Sequence, residues 1–439
     1  MHTRNRITVI GTGYLGITHA ACMAEVGHEV LGLDIDADKI RQLNHGELPI
    51  HENGLDELLR RGVVSGRLRF TTSFQEAAEF GDVHFLCLGT PQRTDSSAAD
   101  TSQLDAAIDA LAPHLTRACL VVGKSTVPVG TAERLNRRLI ERAPAGDAIN
   151  LAWNPEFLRE GFAVKDTLSP DRIVLGVRTE SAERTLRAIY APLGDIPTVV
   201  TDFATAELVK AAANSFLATK ISYINAMAEV CEAAQGDVVA LAEALSYDGR
   251  IGGRFLNAGI GFGGGCLPKD IRAFTARAEE LGAGRALSFL REVDEINIRR
   301  RSRAVELARE LVGGSLAGRA VAVLGAAFKP DSDDIRDSPA LAIANAIQEE
   351  GGLVSVYDPV ALDNARKAYP TLGYAGSPTE AAQEAHVTLL LTEWSDFVEL
   401  DPEEFGSVVA DRNVVDGRNA LSPIAWRAAG WNYRALGRP

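Results

Sequence analysis

A glycine-rich turn close to the N-terminus constrains the fold of this chain more than any other feature. The β-rich run Arg6–Ile10 leads into GTGYLG at residues 11–16, and a helical stretch follows to about Gly27. The next β-rich run, His28–Leu33, ends in Asp34. A strand, a GxGxxG turn, a helix and a second strand that ends in an acid together form a dinucleotide-binding fingerprint. The sequence therefore predicts a doubly wound α/β sheet that binds a dinucleotide.

Each part of this fingerprint has its own physical task. The first glycine makes the turn, the second admits the pyrophosphate, and the third packs the helix against the strand. The helix N-terminus supplies N–H groups to the phosphates. Asp34 would accept the ribose hydroxyls and the charge of Asp36 would repel a 2′-phosphate, which predicts NAD in preference to NADP. Lys39 is either a solvated helix lysine or a cation that neutralises the cofactor. The predicted NAD contacts of this segment are Gly11, Gly13, Tyr14, Leu15, Gly16, Asp34 and Lys39.

Two later β-rich runs continue the same pattern. The run Val83–Leu88 is followed by a turn that carries Thr90, and the run Cys119–Gly123 by a turn that carries Thr126. Ligands of parallel sheets bind at the carboxyl ends of the strands. We therefore expect both threonines to contact the cofactor or the substrate.

Beyond about residue 200 the pattern changes twice. Residues 205–235 repeat apolar side chains at helical spacing, and β-rich runs return at Arg319–Leu324 and at Leu353–Tyr357, which ends in Asp358. This order echoes the N-terminal fingerprint without its GxGxxG spacing, so the second sheet need not bind a dinucleotide. A chain of 439 residues is too long for one core. The predicted fold is α/β, with two Rossmann-like doubly wound domains (residues 1–200 and 306–439) joined by a central helical domain (residues 201–305).

Composition and charge exclude several classes of function. The net charge of −14 argues against a nucleic-acid-binding or basic membrane-surface protein. No apolar run approaches the ~20 residues of a membrane span, and the chain runs from Met1 into a strand with no room for a signal peptide. Five scattered cysteines without a C-x-x-C pair indicate a reducing cytoplasm, and neither disulfides nor a zinc site.

The run GFGGGCLPKD at residues 261–270 surrounds Cys266 with features of a reactive thiol. Glycines permit positive φ angles and let backbone and ligand approach the sulfur closely. A nearby lysine would favour the thiolate, which is the reactive form. The alternative is a buried cysteine that packs as a small hydrophobe.

Two further runs carry groups suited to proton transfer and to charge stabilisation. NPEFLREG places Glu156 and Glu160 four residues apart, on one face if the segment is helical, although such pairs are also ordinary helix surface. ELVKAAAN places Lys210 and Asn214 on one face of an alanine-rich helix. A cation and an amide donor there suit an oxyanion, whereas the alternative is a solvent-facing lysine.

A charged loop, KPDSDDIRDS, follows a strand at residues 329–338. It is either solvated or binds phosphate through Lys329 and Arg336, the arginine by a bidentate fork. Further candidates on glycine-rich segments are Arg250, Arg254 and Arg418.

Six runs taken together resemble the UDP-glucose/GDP-mannose 6-dehydrogenase family of nucleotide-sugar dehydrogenases. They are GTGYLG, STVPVGT, NPEFLREG, ELVKAAANSFLATK, GFGGGCLPKD and AFKPDSDDIRDSPA. They stand in family order between residues 11 and 340, and the resemblance covers about residues 7 to 420. The resemblance implies an NAD-dependent, four-electron oxidation of the C6 alcohol of a nucleotide sugar, with two NADH per product. UDP-glucose, oxidised to UDP-glucuronate for polysaccharide synthesis, is the favoured substrate.

The resemblance also implies a role for each matching residue. The catalytic residues are Cys266 (nucleophile, forming a thiohemiacetal and a thioester), Lys210 and Asn214 (oxyanion stabilisation), Asp270 and Thr126 (orientation of the water used in proton transfer), Glu160 (thioester hydrolysis) and Glu156 (its neighbour). The substrate contacts are Phe157, Leu158, Glu160, Lys210, Asn214, Arg250, Phe255, Gly263, Phe328, Lys329 and Arg418. The further cofactor contacts are Thr90, Thr126, Glu160 and Arg336, and no metal is implied.

Three details of the resemblance concern assembly and specificity. Arg250 resembles an arginine donated across a dimer interface, which implies a homodimer or a higher homo-oligomer, paired through the central helical domain. Gly265 stands where the family commonly has Ser, and Ala226 stands where a Glu usually follows the asparagine. These two departures leave the substrate preference open.

Other substrates and other functions stay open at this point. The same chemistry on GDP-mannose, TDP-glucose or a UDP-N-acetylhexosamine is an alternative. A single-step β-hydroxyacid dehydrogenase shares the glycine turn and the Lys-x-x-x-Asn helix but needs no cysteine, and it would yield one NADH. A non-catalytic nucleotide-sugar sensor is a third reading, although a sensor has no reason to keep Cys266, Lys210, Asn214 and Asp270 together.

Overall fold

Residues 4–438 are described by a computed structural model, and residues 1–3 and 439, at the ends of the predicted outer domains, lie outside the described residues. The chain divides between Ala213 and Asn214 into two units. Each unit contains one open sheet. The finer division into three domains, with boundaries after residues 200 and 305, stays a prediction.

The first unit is built on an eight-stranded sheet. Its strands are β1 (Arg6–Ile10), β2 (Glu29–Leu33), β3 (Leu68–Thr71), β4 (Val83–Leu86), β5 (Cys119–Gly123), β6 (Ile149–Trp153), β7 (Ile173–Gly176) and β8 (Thr198–Thr201). Their spatial order is β3-β2-β1-β4-β5-β6-β7-β8, and β6 and β7 are the antiparallel neighbours in an otherwise parallel sheet. The order of β1–β6 is that of a dinucleotide-binding sheet, which confirms the predicted doubly wound fold.

Helices bury both faces of this sheet. They are α1 (Tyr14–Glu25), α2 (Ala37–Asn44), α3 (Leu55–Val64), α4 (Phe74–Phe80), α5 (Ser102–Leu111), α6 (Thr131–Arg142), α7 (Ala163–Leu168) and α8 (Glu180–Tyr190). Ile7 and Val9 of β1 belong to one apolar core and Ile10 to the other, because successive side chains of a strand point to opposite faces. Burial on both faces explains why the strands are continuous apolar runs.

The second unit combines long helices with a six-stranded sheet. The helix α9 (Phe203–Ala234) contains the point of division, and it is followed by α10 (Val238–Ser246), α11 (Leu267–Glu280) and α12 (Phe289–Leu311). The strands are β9 (Ala320–Leu324), β10 (Leu353–Tyr357), β11 (Gly373–Tyr374), β12 (Val387–Leu390), β13 (Asn413–Asp416) and β14 (Asn432–Ala435). The helices α13 (Pro339–Glu349), α14 (Leu362–Ala368), α15 (Pro378–Ala381), α16 (Ser395–Val398), α17 (Pro402–Phe405) and α18 (Pro423–Ala428) connect them. The order β11-β10-β9-β12-β13-β14 is parallel throughout and repeats that of β1–β6.

The acid that ends the second strand has a different task in each sheet. Asp358, after β10, is 1% exposed and accepts from the N–H groups of Ala326 and Ala327 at 2.8 and 3.0 Å. Its other oxygen accepts from the N–H groups of Val360 and Ala361. Asp358 is therefore an internal anchor of the turn after β9. Asp34, after β2, is only half-buried.

Two structural features are absent from residues 4–438. Among these residues, no helix combines the length and apolar character needed to cross a membrane. Within the same range, no group of three or more His, Cys, Asp and Glu side chains is arranged to hold a metal ion.

Candidate active site

The glycine turn after β1 leaves space at its middle glycine. A Cβ on Gly16 would lie 1.7 Å from the carbonyl oxygen of Gly11, and one on Gly11 (φ +90°) would lie 2.8 Å from that of Cys87. A Cβ on Gly13 would have no atom within 4 Å. Gly13 is also the N-cap of α1, and because it has no side chain, no side-chain group caps this helix there. These residues fit a dinucleotide, because its pyrophosphate needs close approach to the backbone at a helix N-terminus.

Asp34 sits at the carboxyl end of β2 as an ionised acceptor. Its Oδ2 accepts from the N–H and the hydroxyl of Thr12 at 3.0 and 2.8 Å and from Lys39 Nζ at 3.0 Å. Burial alone would raise the pKa of the Asp34 carboxyl, but the hydrogen bonds from Thr12, Asp36 and Lys39 lower it below its ordinary value. Lys39 is thus held at the predicted ribose site. The neighbouring Ile35 is 81% exposed and offers an apolar surface that the sequence pattern does not reveal.

The turns after β4 and β5 lie against each other, as the parallel order of the strands predicts. The hydroxyl of Thr90 donates to the carbonyl oxygen of Thr126 at 2.7 Å, and that of Ser125 donates to the carbonyl oxygen of Leu88 at 2.7 Å. Thr90 is buried and Thr126 half-buried. These bonds bring the two predicted threonines to the same edge of the sheet.

The segment that carries Glu156 and Glu160 is a loop, so the helix that would place them on one face is not formed. Residues 154–162 connect β6 to α7. Asn154 does not cap a helix here, because its buried side chain accepts from Lys124 Nζ at 3.0 Å and donates to the carbonyl oxygen of Val174 at 2.9 Å.

Inside the first unit, Glu156 forms a buried ion pair with Lys210. Glu156 Oε1 lies 3.0 Å from Lys210 Nζ, with 12% and 6% of the two side chains exposed. The ring of Phe157 stands 5.6 Å from Lys210 Nζ and 3.8 Å from the guanidinium of Arg172. Leu158 and Glu160 are half-buried in the same loop. Five of the predicted site residues of this unit therefore share one small region.

Glu207 fixes the start of α9, one turn before Lys210. Its carboxylate is 2% exposed and accepts from the N–H groups of Gly130 and Ala132 at 2.7 and 2.6 Å, at the N-terminus of α6. This anchor sets the position of α9 beside the turn that carries Thr126. Negative charge at a helix N-terminus is favourable, and the sequence gives no signal for which helix an acid will reach.

In the second unit, Cys266 is the N-cap of α11 and is exposed. Its carbonyl oxygen accepts from the N–H of Asp270 at 2.9 Å. The partial positive charge of a helix N-terminus favours the thiolate. Lys269, expected to serve the thiol, has its ammonium bonded to the carboxylate of Asp270.

Asp270 and Asn214 form a buried hydrogen-bonded pair. Asn214 Nδ2 donates to Asp270 Oδ2 at 2.6 Å, and the two residues are 6% and 3% exposed. The predicted oxyanion donor Asn214 is therefore oriented by a predicted catalytic acid, within one unit.

The loop at residues 328–338 occupies the space next to the glycines before Cys266, where side chains would otherwise lie. A Cβ on Gly263 would lie 2.3 Å from the carbonyl oxygen of Asp337, and one on Gly264 (φ +83°) would lie 2.8 Å from the ring of Phe328. A Cβ on Gly265 would lie 2.2 Å from the guanidinium carbon of Arg336. Gly265, a departure from the family pattern, thus makes room for a cation next to Cys266.

The remaining predicted substrate residues of this unit have distinct surroundings. Arg418 donates to the carbonyl oxygens of Leu391, Gly261 and Phe328 at 2.8, 3.0 and 3.1 Å. Phe255 adopts a φ of +66°, a strained conformation for a bulky residue. Lys329 Nζ stands 5.6 Å from the ring of Phe328, and Arg250, with 89% of its side chain exposed, pairs with Asp248.

Several residues of the site region carry no signal in the sequence. Lys124 and Arg172 are single cations that no motif marks. Glu52 accepts from the N–H of Gly161 at 2.6 Å, and this partner lies about a hundred residues later in the chain. Glu52 stands just ahead of a helix start, and that position alone predicts ordinary helix charge.

Comparisons with known proteins cover nearly the whole chain. Models of the UDP-glucose/GDP-mannose dehydrogenase family match residues 5–194 (NAD binding domain), 204–299 (central domain) and 322–423 (UDP binding domain). The chain is 41% identical over 438 residues to a UDP-glucose 6-dehydrogenase of Rhizobium meliloti, covering 99% of this chain and 100% of the relative. It is 42% identical to the UDP-glucose 6-dehydrogenase AglM of Haloferax volcanii, covering 98% and 99%.

Solved structures agree with these relatives. A UDP-glucose dehydrogenase from Pyrobaculum islandicum matches with a TM-score of 0.92 and 37% identity, covering 100% of this chain and 99% of the other. A UDP-D-ManNAc dehydrogenase from Pyrococcus horikoshii matches with a TM-score of 0.87 and 27% identity, covering 99% of both chains.

Proposed function

Because the chain belongs to the UDP-glucose/GDP-mannose dehydrogenase family, we propose that it oxidises the C6 alcohol of UDP-glucose to the carboxylate of UDP-glucuronate. The observation that carries the proposal is an exposed thiol, Cys266, at a helix N-terminus in a chain whose other unit has a dinucleotide turn open at Gly13. NAD, when bound, accepts one hydride in each of two oxidations. Alcohol, one water and two NAD⁺ thus give the carboxylate, two NADH and three protons.

In the first oxidation the chain removes a proton and stabilises charge. We assign the orientation of the water that receives the alcohol proton to Asp270 and Thr126. We assign stabilisation of the developing alkoxide to Lys210 and Asn214. The pair with Glu156 supports this role of Lys210, because a buried ammonium keeps its charge beside a carboxylate. Asp270 orients the Asn214 amide, so that one of its two N–H donors stays available for oxygen.

The second oxidation requires a covalent intermediate. The Cys266 thiolate attacks the aldehyde carbon, forms a C–S bond and yields a thiohemiacetal. Loss of a hydride from that carbon leaves a thioester, and water then breaks the C–S bond with Glu160 as the assisting base. Covalent capture explains the need for a thiol, because it holds the reactive aldehyde between the two hydride transfers.

Replacement of the thiol tests this route. Cys266→Ser retains a weak nucleophile but a poor leaving group, and we expect acid formation to fall by about a thousandfold or more, with an ester or aldehyde-level intermediate left behind. The readouts are NADH per sugar consumed and the mass of the acid-quenched protein. Undiminished steady-state acid production by this variant would contradict the covalent route, and one NADH per product in the wild type would favour a single-step dehydrogenase.

The choice of UDP-glucose rests on the names of the relatives and on the UDP binding domain model over residues 322–423. Lys329 in that range supplies a cation for the diphosphate of the nucleotide sugar. NADH formation with equal concentrations of UDP-glucose, GDP-mannose, TDP-glucose and UDP-N-acetylhexosamines separates the alternatives. A higher kcat/KM for any of the others would replace UDP-glucose in the proposal.

We further propose that this chain assembles with a second copy of itself. We assign this assembly to the cytoplasm. Phe216, Tyr223 and Val230 recur every seven residues on α9 and are 66%, 51% and 56% exposed. Such an exposed apolar stripe suits packing against the same helix of a second copy. Phe216→Glu should lower the mass in light scattering to that of a monomer, whereas the solvent-facing change Glu243→Gln should not, and an unchanged mass for Phe216→Glu contradicts the assignment.

A further inference from the structure

Glu52 is a buried carboxylate that the catalytic assignments do not use. It lies just ahead of α3 and is 4% exposed. It accepts from the N–H groups of Gly161 and Ala163 at 2.6 and 2.8 Å and from the hydroxyl of Tyr14. A buried charge is costly unless donors replace its lost hydration, and here three donors converge on one carboxylate.

These donors belong to two different parts of the predicted site. Tyr14 begins α1 within the glycine turn predicted to receive the dinucleotide, directly after Gly13. Gly161 directly follows Glu160, at the end of the loop over residues 154–162. The N–H of Gly161 also lies 3.2 Å from the Tyr14 hydroxyl oxygen. Glu52, Tyr14 and Gly161 therefore form a closed triangle between the cofactor turn and the acid loop.

One further contact and two properties of its members support this triangle. Asn53 Nδ2 donates to the carbonyl oxygen of Gly161 at 3.3 Å, so two adjacent side chains hold both backbone groups of one glycine. Gly161 has a φ of +78°, a conformation that other residues rarely adopt. Burial and the carboxylates Glu52 and Glu160 raise the pKa of Tyr14, which keeps its hydroxyl protonated as a donor.

We propose that Glu52 is a positioning residue that fixes the loop over residues 154–162, and with it Glu160, to the glycine turn that binds NAD. It acts through Tyr14 and Gly161. A carboxylate is required, because an amide of the same shape would turn an N–H group toward one of the three donors. The inference rests on the proposed function, which assigns Glu160 to thioester hydrolysis.

The full-length variant Glu52→Gln tests the role. We expect a dissociation constant for NAD that rises about 5–10-fold, and a kcat that falls about 10–100-fold because Glu160 is displaced. Thioester should accumulate on Cys266, detected as a mass increase of the acid-quenched protein. Tyr14→Phe should reproduce mainly the weaker NAD binding, and Asn53→Ala mainly the thioester accumulation. Glu232→Gln is the matched control, because Glu232 likewise accepts a backbone N–H, that of Gly437 at 3.0 Å, and is held by a second donor, the buried Arg300.

The outcomes separate positioning from simple support of the fold. A Glu52→Gln protein with a lower melting temperature but wild-type NAD affinity and kcat per folded molecule, as expected for Glu232→Gln, overturns the proposal. If Glu52→Gln does not fold, wild-type NAD affinity and turnover in both Tyr14→Phe and Asn53→Ala overturn it. If the wild type forms no NADH from any nucleotide sugar, the proposed function fails, while NAD titration of the same variants still supports or overturns the link between Glu52 and the glycine turn.

Discussion

The two glycine-rich turns of this chain look alike in sequence and differ in what surrounds them. At residues 11–16 the outer glycines are closed by backbone, with a Cβ on Gly16 only 1.7 Å from the Gly11 carbonyl oxygen, and the middle one, Gly13, faces open space. At residues 263–265 the loop over residues 328–338 occupies the space where a side chain on each glycine would lie. The first turn leaves open space at its middle glycine, and the second is packed against the protein's own chain.

A glycine in such a turn can therefore do one of two things: it can leave space for a ligand, or it can let another part of the chain pack closely. The sequence predicts that the glycines before Cys266 let a ligand approach the sulfur. The structure shows that they let Asp337, Phe328 and Arg336 approach, so the loop that carries the predicted phosphate-binding side chains lies directly on the turn before the thiol. Substitutions in the two turns should therefore fail in different ways.

The largest effect is expected at Gly16. Its Cβ would meet backbone, and that backbone cannot withdraw because the N–H of Gly11 is bonded to the carbonyl oxygen of Leu33 at 2.8 Å. We expect Gly16→Ala to lose more than about 4 kcal/mol of unfolding free energy in urea, and NAD binding with it. Ala20→Gly, one turn later in α1, is the control and should cost about 2 kcal/mol, because it removes a buried methyl group as well as helix propensity. A folded Gly16→Ala protein with wild-type NAD affinity would contradict this account of the first turn.

The next effect is expected at Gly264 in the second turn. Its φ of +83° disfavours any side chain, and its Cβ would lie 2.8 Å from the Phe328 ring. We expect Gly264→Ala to cost about 2–3 kcal/mol in urea unfolding. A double-mutant cycle with Phe328→Ala should show coupling of at least about 0.5 kcal/mol, because the smaller side chain gives way to the new methyl group. Strict additivity would mean that Phe328 does not fill the turn.

The fold of the first unit follows closely from its sequence, and the reason is local. The strand Arg6–Ile10, the turn and the acid Asp34 lie within one short segment, so periodicity and glycine spacing define them together. The strand order then follows from the rules for parallel sheets. The second sheet is predicted by the same rhythm, although the internal anchoring of Asp358 is visible only in three dimensions.

The candidate site is less predictable, because its contacts are long-range. The residue types at Cys266, Lys210 and Asp270 suggest chemistry, yet no spacing pairs Glu156 with Lys210 or aims Asn214 at Asp270. The acids Glu156 and Glu160 would share one face only if their segment were helical, and the structure shows a loop there, in which the buried side chain of Asn154 binds Lys124.

A smaller effect, of a different kind, is expected at Gly13. Its φ of −73° and ψ of −171° are open to alanine, and no atom lies within 4 Å of the new Cβ. Gly13→Ala should change the unfolding free energy by less than about 0.5 kcal/mol. The methyl group would occupy the space of the pyrophosphate, so the dissociation constant for NAD should rise about 10–100-fold in a fluorescence titration. A loss of stability like that of Gly264→Ala would remove the distinction between the two turns.

The smallest effect is expected at Gly265, where the neighbour is the end of a flexible side chain. A new Cβ would meet the guanidinium of Arg336, which is bonded to the Asp334 carboxylate but belongs to a largely exposed side chain, so that it moves more easily than backbone or a packed ring. Gly265→Ser should therefore cost less than about 1 kcal/mol of stability. The KM for NAD should change about threefold, because the displaced cation is a predicted cofactor contact. The same serine placed in an Arg336→Ala background should leave that KM unaltered, since the cation it displaces is already gone. Equal changes in both backgrounds would show that Gly265 does not act through Arg336, and that this turn holds its loop by Gly263 and Gly264 alone.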